Sequence, residues 1–184
     1  MRDLSLHILD LAQNSVRANA ALVEIVVSVD ESRLITITIR DDGSGMSDEL
    51  KERVTSPFAT TRTTRKVGLG IPLMMQNARL AGGDVRIDST LGQGTTLTAT
   101  LHGDSIDCLP LGDLAGTVVS LVSANPERPD FRLSCSSPKG SMDFDTREMR
   151  QALGNVPLNE PEITAWMLSA IQEEIEPIFG GVIL

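Results

Sequence analysis

Hydrophobic residues recur along the first hundred positions with two different periods. Between residues 4 and 18 the apolar side chains repeat at helical spacing, which predicts an amphipathic helix. Residues 22–29 and 33–40 instead alternate apolar and polar side chains, which predicts two paired strands joined by a short turn. The same patterns predict helices over 47–54 and 71–81 and strands over 84–89 and 95–101.

The composition of the chain changes after His102. Residues 113–123 predict either a weak helix or an apolar strand, since their run of apolar side chains fits both. The other predicted elements here are a hairpin of strands 131–135 and 142–145 and helices over 146–153 and 161–178. We therefore expect a first domain over residues 1–103 and a small α+β C-terminal unit over residues 104–184.

The overall composition is that of an acidic globular protein. Hydrophobic residues make up 41% of the 184 positions, enough for a core, and the formal net charge is −9. Because binding a nucleic-acid backbone needs a clustered basic surface, the charge argues against a nucleic-acid partner. The apolar runs are too short to span a bilayer. Two cysteines without metal-binding spacing are expected to be free thiols of a cytoplasmic protein.

Asp10 and Asn14 stand four residues apart on the first predicted helix, away from its apolar side. His7 and Arg17 continue the same stripe. The stripe can be an ordinary solvated surface, or it can present an acid and an amide to a ligand. The helix by itself does not distinguish these two interpretations.

Asp41 follows the strand in which Ile35, Ile37 and Ile39 alternate. A period of two places its carboxylate on the same apolar face, where it would need a partner. Alternatively, the strand ends one residue earlier and Asp41 is the first residue of a loop. Gly43 and Gly45 favour the first interpretation, because glycines let a backbone approach a ligand closely.

Two further glycine-containing segments bear on ligand binding. The segment "KVGLGI" leads into a predicted helix, and backbone N–H groups at a helix N-terminus bind anions. Glycines also precede helices for purely steric reasons, although Arg62, Arg65 and Lys66 just upstream favour an anion. The segment "GQGTT" by itself reads as a hairpin turn.

In combination these segments resemble the GHKL superfamily, which includes gyrase-type topoisomerases, heat-shock chaperones, histidine kinases and mismatch-repair ATPases. The segment "LDLAQNSVRANA" resembles the N box of this family, and "DDGSGM" resembles its G1 box. The segment "SPFATTR" resembles its F box, and "VGLGIPL" resembles its G2 box. The resemblance covers roughly residues 4–101 and is greatest to the histidine-kinase branch. It implies an α/β two-layer sandwich (the Bergerat fold), with a mixed, mostly antiparallel sheet and helices on one face.

The resemblance also implies a role for each matching residue. Asn14 is expected to hold the Mg²⁺ of Mg-ATP, Asp41 to accept a hydrogen bond from the adenine amine, and Thr95 to support that carboxylate directly or through water. Asp10 occupies the catalytic position. The other residues implied to contact the nucleotide are Gly43, Gly45, Met46, Phe58, Arg62, Lys66, Gly68, Leu69 and Gly70.

Two positions depart from the family pattern. The N box usually carries Glu where this chain has Asp10, whose side chain is one methylene shorter. A misplacement of roughly 1 Å can cost on the order of 10²-fold in rate, so slow turnover is expected. The G2 box usually opens with a further glycine, and Lys66 stands there instead, where its charge would lie near the phosphates or tighten the lid.

The resemblance implies a Mg-ATP-binding module of kinase type that acts on a separate partner protein. Because the N box begins close to Met1, we expect no dimerisation segment with a phosphoaccepting histidine before it. We expect residues 104–184 to serve homodimer contact or partner docking. The activity would be that of an ATP-dependent protein kinase or a slow ATPase. The alternative is a non-catalytic switch in which ATP changes a protein contact.

Overall fold

The computed structural model describes residues 2–55 and 69–180. The helices are α1 (Leu4–Arg17), α2 (Asp48–Thr55), α3 (Gly70–Leu80), α4 (Leu114–Ala124), α5 (Thr146–Leu153) and α6 (Pro161–Phe179). The strands are β1 (Leu22–Val29), β2 (Leu34–Asp41), β3 (Val85–Thr90), β4 (Gly94–His102), β5 (Asp130–Ser137) and β6 (Gly140–Asp145). These elements confirm the predicted helices and strands to within a few residues.

The strands form one open sheet in the order β3-β4-β2-β1-β5-β6. Neighbouring strands are antiparallel except β1 and β5, which run parallel. One face carries the buried apolar residues and packs against α1, α3, α4 and α6. The mixed, mostly antiparallel sheet with helices on one face confirms the predicted fold class.

Helix α1 lies over the centre of the sheet and positions the candidate site. It begins at Asp3, whose carboxylate accepts from the Leu6 N–H at 3.0 Å and so caps a free backbone donor. Its apolar side, including Leu4 and Ile8, is fully buried. The last turns of α1 lie beside the end of β2, where the Ser15 hydroxyl donates to the Asp41 carboxylate at 2.6 Å.

The C-terminal segment joins the same sheet as the preceding residues. Strand β5 pairs with β1 in a register that places Leu22 opposite Asp130 and Ile25 opposite Leu133. The sheet is therefore continuous across residue 103, while the division into residues 1–103 and 104–184 stays a prediction.

Residues 113–123, which fitted a helix or a strand, form the helix α4. Its N-cap Asp113 accepts from the Gly116 N–H at 2.8 Å, a bond that starts a helix and not a strand. Contacts with α1, α6 and β5 explain why so many of its side chains are apolar.

Cys108 and Cys135 are both free thiols, as expected. Burial raises the pKa of Cys135 to about 12, which keeps this thiol protonated and unreactive. No helix within residues 2–55 and 69–180 is long and apolar enough to cross a membrane.

Candidate functional site

A cavity of ≈ 240 Å³ opens beside α1, at the ends of β2 and β4 and next to α2. Among the described residues, those predicted to bind nucleotide and found in its lining are Asn14, Asp41, Gly45, Met46 and Thr95. Much of the remaining lining is apolar and consists of Leu11, Ile39, Leu50, Val54, Ile71 and Leu97. Segments far apart in sequence therefore meet around one largely apolar cavity with a carboxylate in its wall.

Asp41 is the last residue of β2 and lies on the same face as Ile39. Its Oδ2 accepts from the Ser15 hydroxyl at 2.6 Å, and its Oδ1 accepts from the Gly43 N–H at 2.9 Å. Two donors thus hold the carboxylate in one orientation. Each carboxylate oxygen keeps a further lone pair, since an ionised carboxylate accepts up to about four hydrogen bonds.

Thr95 lies directly opposite Asp41 on β4. Its hydroxyl is 2.8 Å from the hydroxyl of Ser89. Ser89 uses its single hydrogen on the Gly94 carbonyl at 3.0 Å and accepts from the Met46 N–H at 2.8 Å. With the Ser89 hydrogen on Gly94, Thr95 is the donor to Ser89, and its own lone pairs remain for a ligand or water in the cavity.

The glycines after Asp41 are required by contacts within the chain. Gly45 has φ +64, and an added Cβ would overlap the Thr90 carbonyl. At Gly43 an added Cβ would lie 2.8 Å from the Ala18 carbonyl oxygen. The expected close approach of these glycines is thus, in this structure, an approach to the protein's own backbone, at Ala18 after α1 for Gly43 and at Thr90, the last residue of β3, for Gly45.

Asn14 and Arg17 lie one turn apart on α1 and both line the cavity. The Asn14 Oδ1 accepts from the Arg17 guanidinium at 3.3 Å. Within residues 2–55 and 69–180 no group of three His, Cys, Asp or Glu side chains could hold a metal. An amide oxygen fits Mg²⁺, which usually keeps several waters and takes only one or two protein ligands beside substrate phosphates.

Asp10 lies one turn before Asn14, outside the lining of the cavity. It packs against Gly70, the first residue of α3, where an added Cβ would lie 3.2 Å from the Asp10 Cβ. Leu69 precedes that helix and is 65% exposed. The structure thus brings the predicted catalytic residue to the start of α3 and places Leu69 at the surface.

Four predicted nucleotide contacts lie outside the described residues. They are Phe58, Arg62, Lys66 and Gly68. Their roles stay predictions.

Sequence reasoning missed two polar groups of the candidate site, namely Ser15 and Ser89. Ser15 had a detectable signal, because it lies four residues after Leu11 on the apolar side of α1, where a hydroxyl needs a partner. Ser89 had a similar signal, because on β3 it continues the period of two of Val85 and Ile87 and is buried. Its role depends on the turn that follows it.

His7 connects α1 to α3 behind the site. It is completely buried, and its Nε2 lies 2.7 Å from the Asn77 amide nitrogen. Its Nδ1 is buried without a hydrogen-bond partner among the described residues. Burial lowers the pKa of His7, an effect that the negative charges of Asp10 and Asp3 partly oppose.

We expect stability to fall as the pH drops below about 6.5, because unfolded His7 then takes up a proton that the folded protein binds less readily. Urea titrations between pH 5 and pH 8 measure this. His7→Gln should flatten the dependence in this range, whereas His102→Gln, at the exposed histidine, should leave it unchanged. An equal slope in wild type and His7→Gln would contradict the assignment.

Comparison with known proteins gives the family. Residues 2–105 match the family model of histidine kinase-, DNA gyrase B- and HSP90-like ATPases. An uncharacterised sensor-like histidine kinase of Rhizobium meliloti is 33% identical over 88 residues, which cover 44% of this chain and 17% of that protein. The sensor histidine kinase WalK of Bacillus subtilis is 30% identical over 100 residues, covering 50% of this chain and 16% of that protein. The chain thus spans about a sixth of the length of these two relatives.

Two solved structures also align with this one. The histidine kinase domain of a blue-light activated histidine kinase from Erythrobacter litoralis aligns with a TM-score of 0.39 and 17% identity, over 53% of this chain and 42% of that chain. The N-terminal domain of a DNA repair protein aligns with a TM-score of 0.48 and 15% identity, over 79% of this chain and 53% of that chain. Since the family model covers more than half of the 184 residues, the chain belongs to the histidine kinase-, DNA gyrase B- and HSP90-like ATPases.

Proposed function

We propose that this chain binds Mg-ATP in the cavity beside α1 and acts as a kinase-type phosphotransferase on a separate protein. The observation that carries the proposal is the Asp41 carboxylate, held by Ser15 and Gly43 in the wall of an apolar cavity. A half-buried carboxylate with spare lone pairs can accept a further hydrogen bond, and the 6-amino group of adenine donates one.

The apolar residues of the cavity suit the faces of a purine ring. Ile39 on β2 and Leu97 on β4 line the cavity, and Met46 lines it from the loop after β2. Guanine presents a carbonyl oxygen where adenine presents an amine, so it would place an acceptor against the carboxylate. The site therefore favours adenine over guanine.

The phosphates would extend toward Asn14 and Arg17. Asn14 would hold Mg²⁺ through its amide oxygen, and Arg17, which now donates to that oxygen, would be free to pair with a phosphate. When bound, Mg²⁺ would neutralise part of the negative charge of the phosphates. The side chains of Asn14 and Arg17 would orient the nucleotide, and Arg17 would add a second positive charge.

Asp10 would act as the base for a hydroxyl or water acceptor. The acceptor oxygen forms a bond to the γ-phosphorus while the bond from that phosphorus to the ADP oxygen breaks, and the proton of the acceptor passes to Asp10. Its position against Gly70 places this carboxylate where the predicted glycine-rich segment enters α3.

The short Asp10 side chain, outside the adenine cavity, favours a second candidate function. In it the chain binds ATP without turnover and changes a contact with a partner protein, or with a second copy of itself. Both candidates place the protein in the cytoplasm, where ATP is supplied.

Thermal unfolding with Mg-ATP tests nucleotide binding, and ATP labelled on its γ-phosphate separates the two functions. We expect a raised melting temperature with Mg-ATP and labelled partner protein from a lysate fraction. Free labelled phosphate would instead mean an ATPase, and a thermal shift without transferred or released phosphate would mean a switch. A melting temperature that Mg-ATP does not change would contradict the proposal.

We expect Asp10→Glu to speed turnover about tenfold, since the added methylene moves the base toward the reacting group. The rate of phosphate transfer or release, measured at saturating Mg-ATP, checks this. Asp3→Glu, at the N-cap of the same helix, is the matched control and should leave the rate unchanged. A slower Asp10→Glu variant would contradict the proposal that Asp10 is a base whose short side chain limits the rate.

A further inference from the structure

Arg128 makes an unusual long-range contact from the C-terminal segment to the end of α1. It lies outside residues 2–105, which match the family model, just before β5. Its Nε donates to the Ala20 carbonyl and its second guanidinium nitrogen to the Asn19 carbonyl, both at 3.1 Å. A planar guanidinium bonds two neighbouring carbonyls through two different nitrogens in a fixed geometry, which the single nitrogen of a lysine ammonium does not provide.

The segment that Arg128 holds is the turn between α1 and β1. Asn19 in this turn has φ +56, a left-handed conformation that is uncommon for residues other than glycine. The turn also lies at the C-terminal end of α1, where the helix dipole favours a positive charge. Arg128 thus bonds the carbonyl of the residue with positive φ and the carbonyl of the residue after it.

The other side of this turn contacts the loop that follows Asp41. The Ala18 carbonyl accepts from the Ser44 N–H at 2.9 Å, and both residues line the cavity. The Asp42 carboxylate accepts from the Ala21 N–H at 2.7 Å and from the Leu22 N–H at 3.0 Å. The turn is thus held between Arg128 on one side and the loop beside the candidate adenine site on the other.

The charges of Asp42 and Arg128 agree with their positions around the turn between α1 and β1. Burial raises the pKa of Asp42, but the N–H donors of Leu22 and Ala21, together with the nearby charge of Arg128, hold it below its usual value. Arg128 and Asp42 thus support the same turn from opposite sides, one through its carbonyls and the other through its N–H groups.

We propose that Arg128 is a positioning residue for the nucleotide site, which couples the C-terminal segment to nucleotide binding. The inference rests on the proposed function, because it assumes that the cavity beside Ala18 and Ser44 takes ATP. Since coupling is reciprocal, bound nucleotide should in turn strengthen the junction between the turn and β5.

The test compares Arg128→Gln with wild type by the dissociation constant of Mg-ATP and by hydrogen exchange at the Ser44 amide. We expect about three- to tenfold weaker binding, because the loss of one half-buried and one exposed hydrogen bond loosens the turn. Exchange at Ser44 should become faster, since its acceptor is the Ala18 carbonyl. Arg128→Lys keeps the positive charge but replaces the two donating guanidinium nitrogens with one. Its affinity for Mg-ATP should therefore lie between those of Arg128→Gln and wild type.

Arg132→Gln is the matched control. Arg132 lies on β5 and pairs with Glu24 and Asp143, so its substitution removes the same charge from the same strand region. It should change neither the affinity nor the exchange at Ser44. Equal Mg-ATP affinity in wild type, Arg128→Gln and Arg128→Lys would overturn the inference and leave the proposed function standing. Wild-type protein that binds no ATP would instead overturn the proposed function and the inference with it.

Discussion

Asp41→Asn is expected to weaken ATP binding by roughly 10- to 100-fold, because a hydrogen bond to a charged group is worth about 1.5–3 kcal/mol. The structure adds a second reason. Both carboxylate oxygens already accept, from Ser15 and from the Gly43 N–H. An amide has only one oxygen, so its NH₂ group must face either one of these donors or the adenine amine.

The same substitution makes a distinct prediction for the base. The amide NH₂ of Asp41→Asn can donate to the carbonyl oxygen at position 6 of hypoxanthine. The substitution should therefore weaken the binding of inosine triphosphate less than the binding of ATP. Calorimetry with both nucleotides measures the two affinities. Asp88→Asn, at an exposed carboxylate of β3, is the control and should bind both as wild type does. An equal loss for both nucleotides would contradict the assignment of Asp41 to the 6-position.

Asn14→Ala is expected to remove the effect of Mg²⁺ on nucleotide affinity. The amide oxygen of Asn14 lines the cavity and is a hard ligand of the kind that Mg²⁺ prefers. Loss of this ligand should weaken binding in Mg²⁺ by roughly 10- to 100-fold. Binding in excess chelator should change little, because the adenine contacts remain.

Gln13→Ala is the matched control for this experiment. Gln13 carries an amide on the neighbouring position of α1 but is not part of the cavity lining. Titrations of ATP with Mg²⁺ and with chelator should give wild-type values for it. If Asn14→Ala kept its full dependence on Mg²⁺, the metal would have to be held elsewhere, and the role of Asn14 would be wrong.

The local elements were predictable because their signals lie within a few residues. The period of apolar residues in α1 and the alternation in β1 and β2 are set by neighbours along the chain, and the structure reproduces both. The motifs around Asn14 and Asp41 could be recognised for the same reason, since each is a short run of residues. The family model then confirmed the family over residues 2–105.

The completion of the site depended on contacts between distant residues. Ser15 donates to a carboxylate 26 positions away, and Thr95 is bonded to Ser89 and not to Asp41. Neither pairing can be read from a periodic pattern, because which hydroxyl reaches which acceptor is decided by how α1, β2 and β4 pack. The family resemblance supplied the acid but not its partners.

By itself, the sequence predicted all helices and strands except α4, which it left open, together with the family and the acid and amide proposed for the candidate site. Only the tertiary structure decided that β5 lies parallel to β1 in the same sheet and that Arg128 reaches the carbonyls of Asn19 and Ala20. The physical reason is that helical and strand periods arise from local backbone geometry, whereas pairing across more than a hundred residues depends on the burial of the whole core.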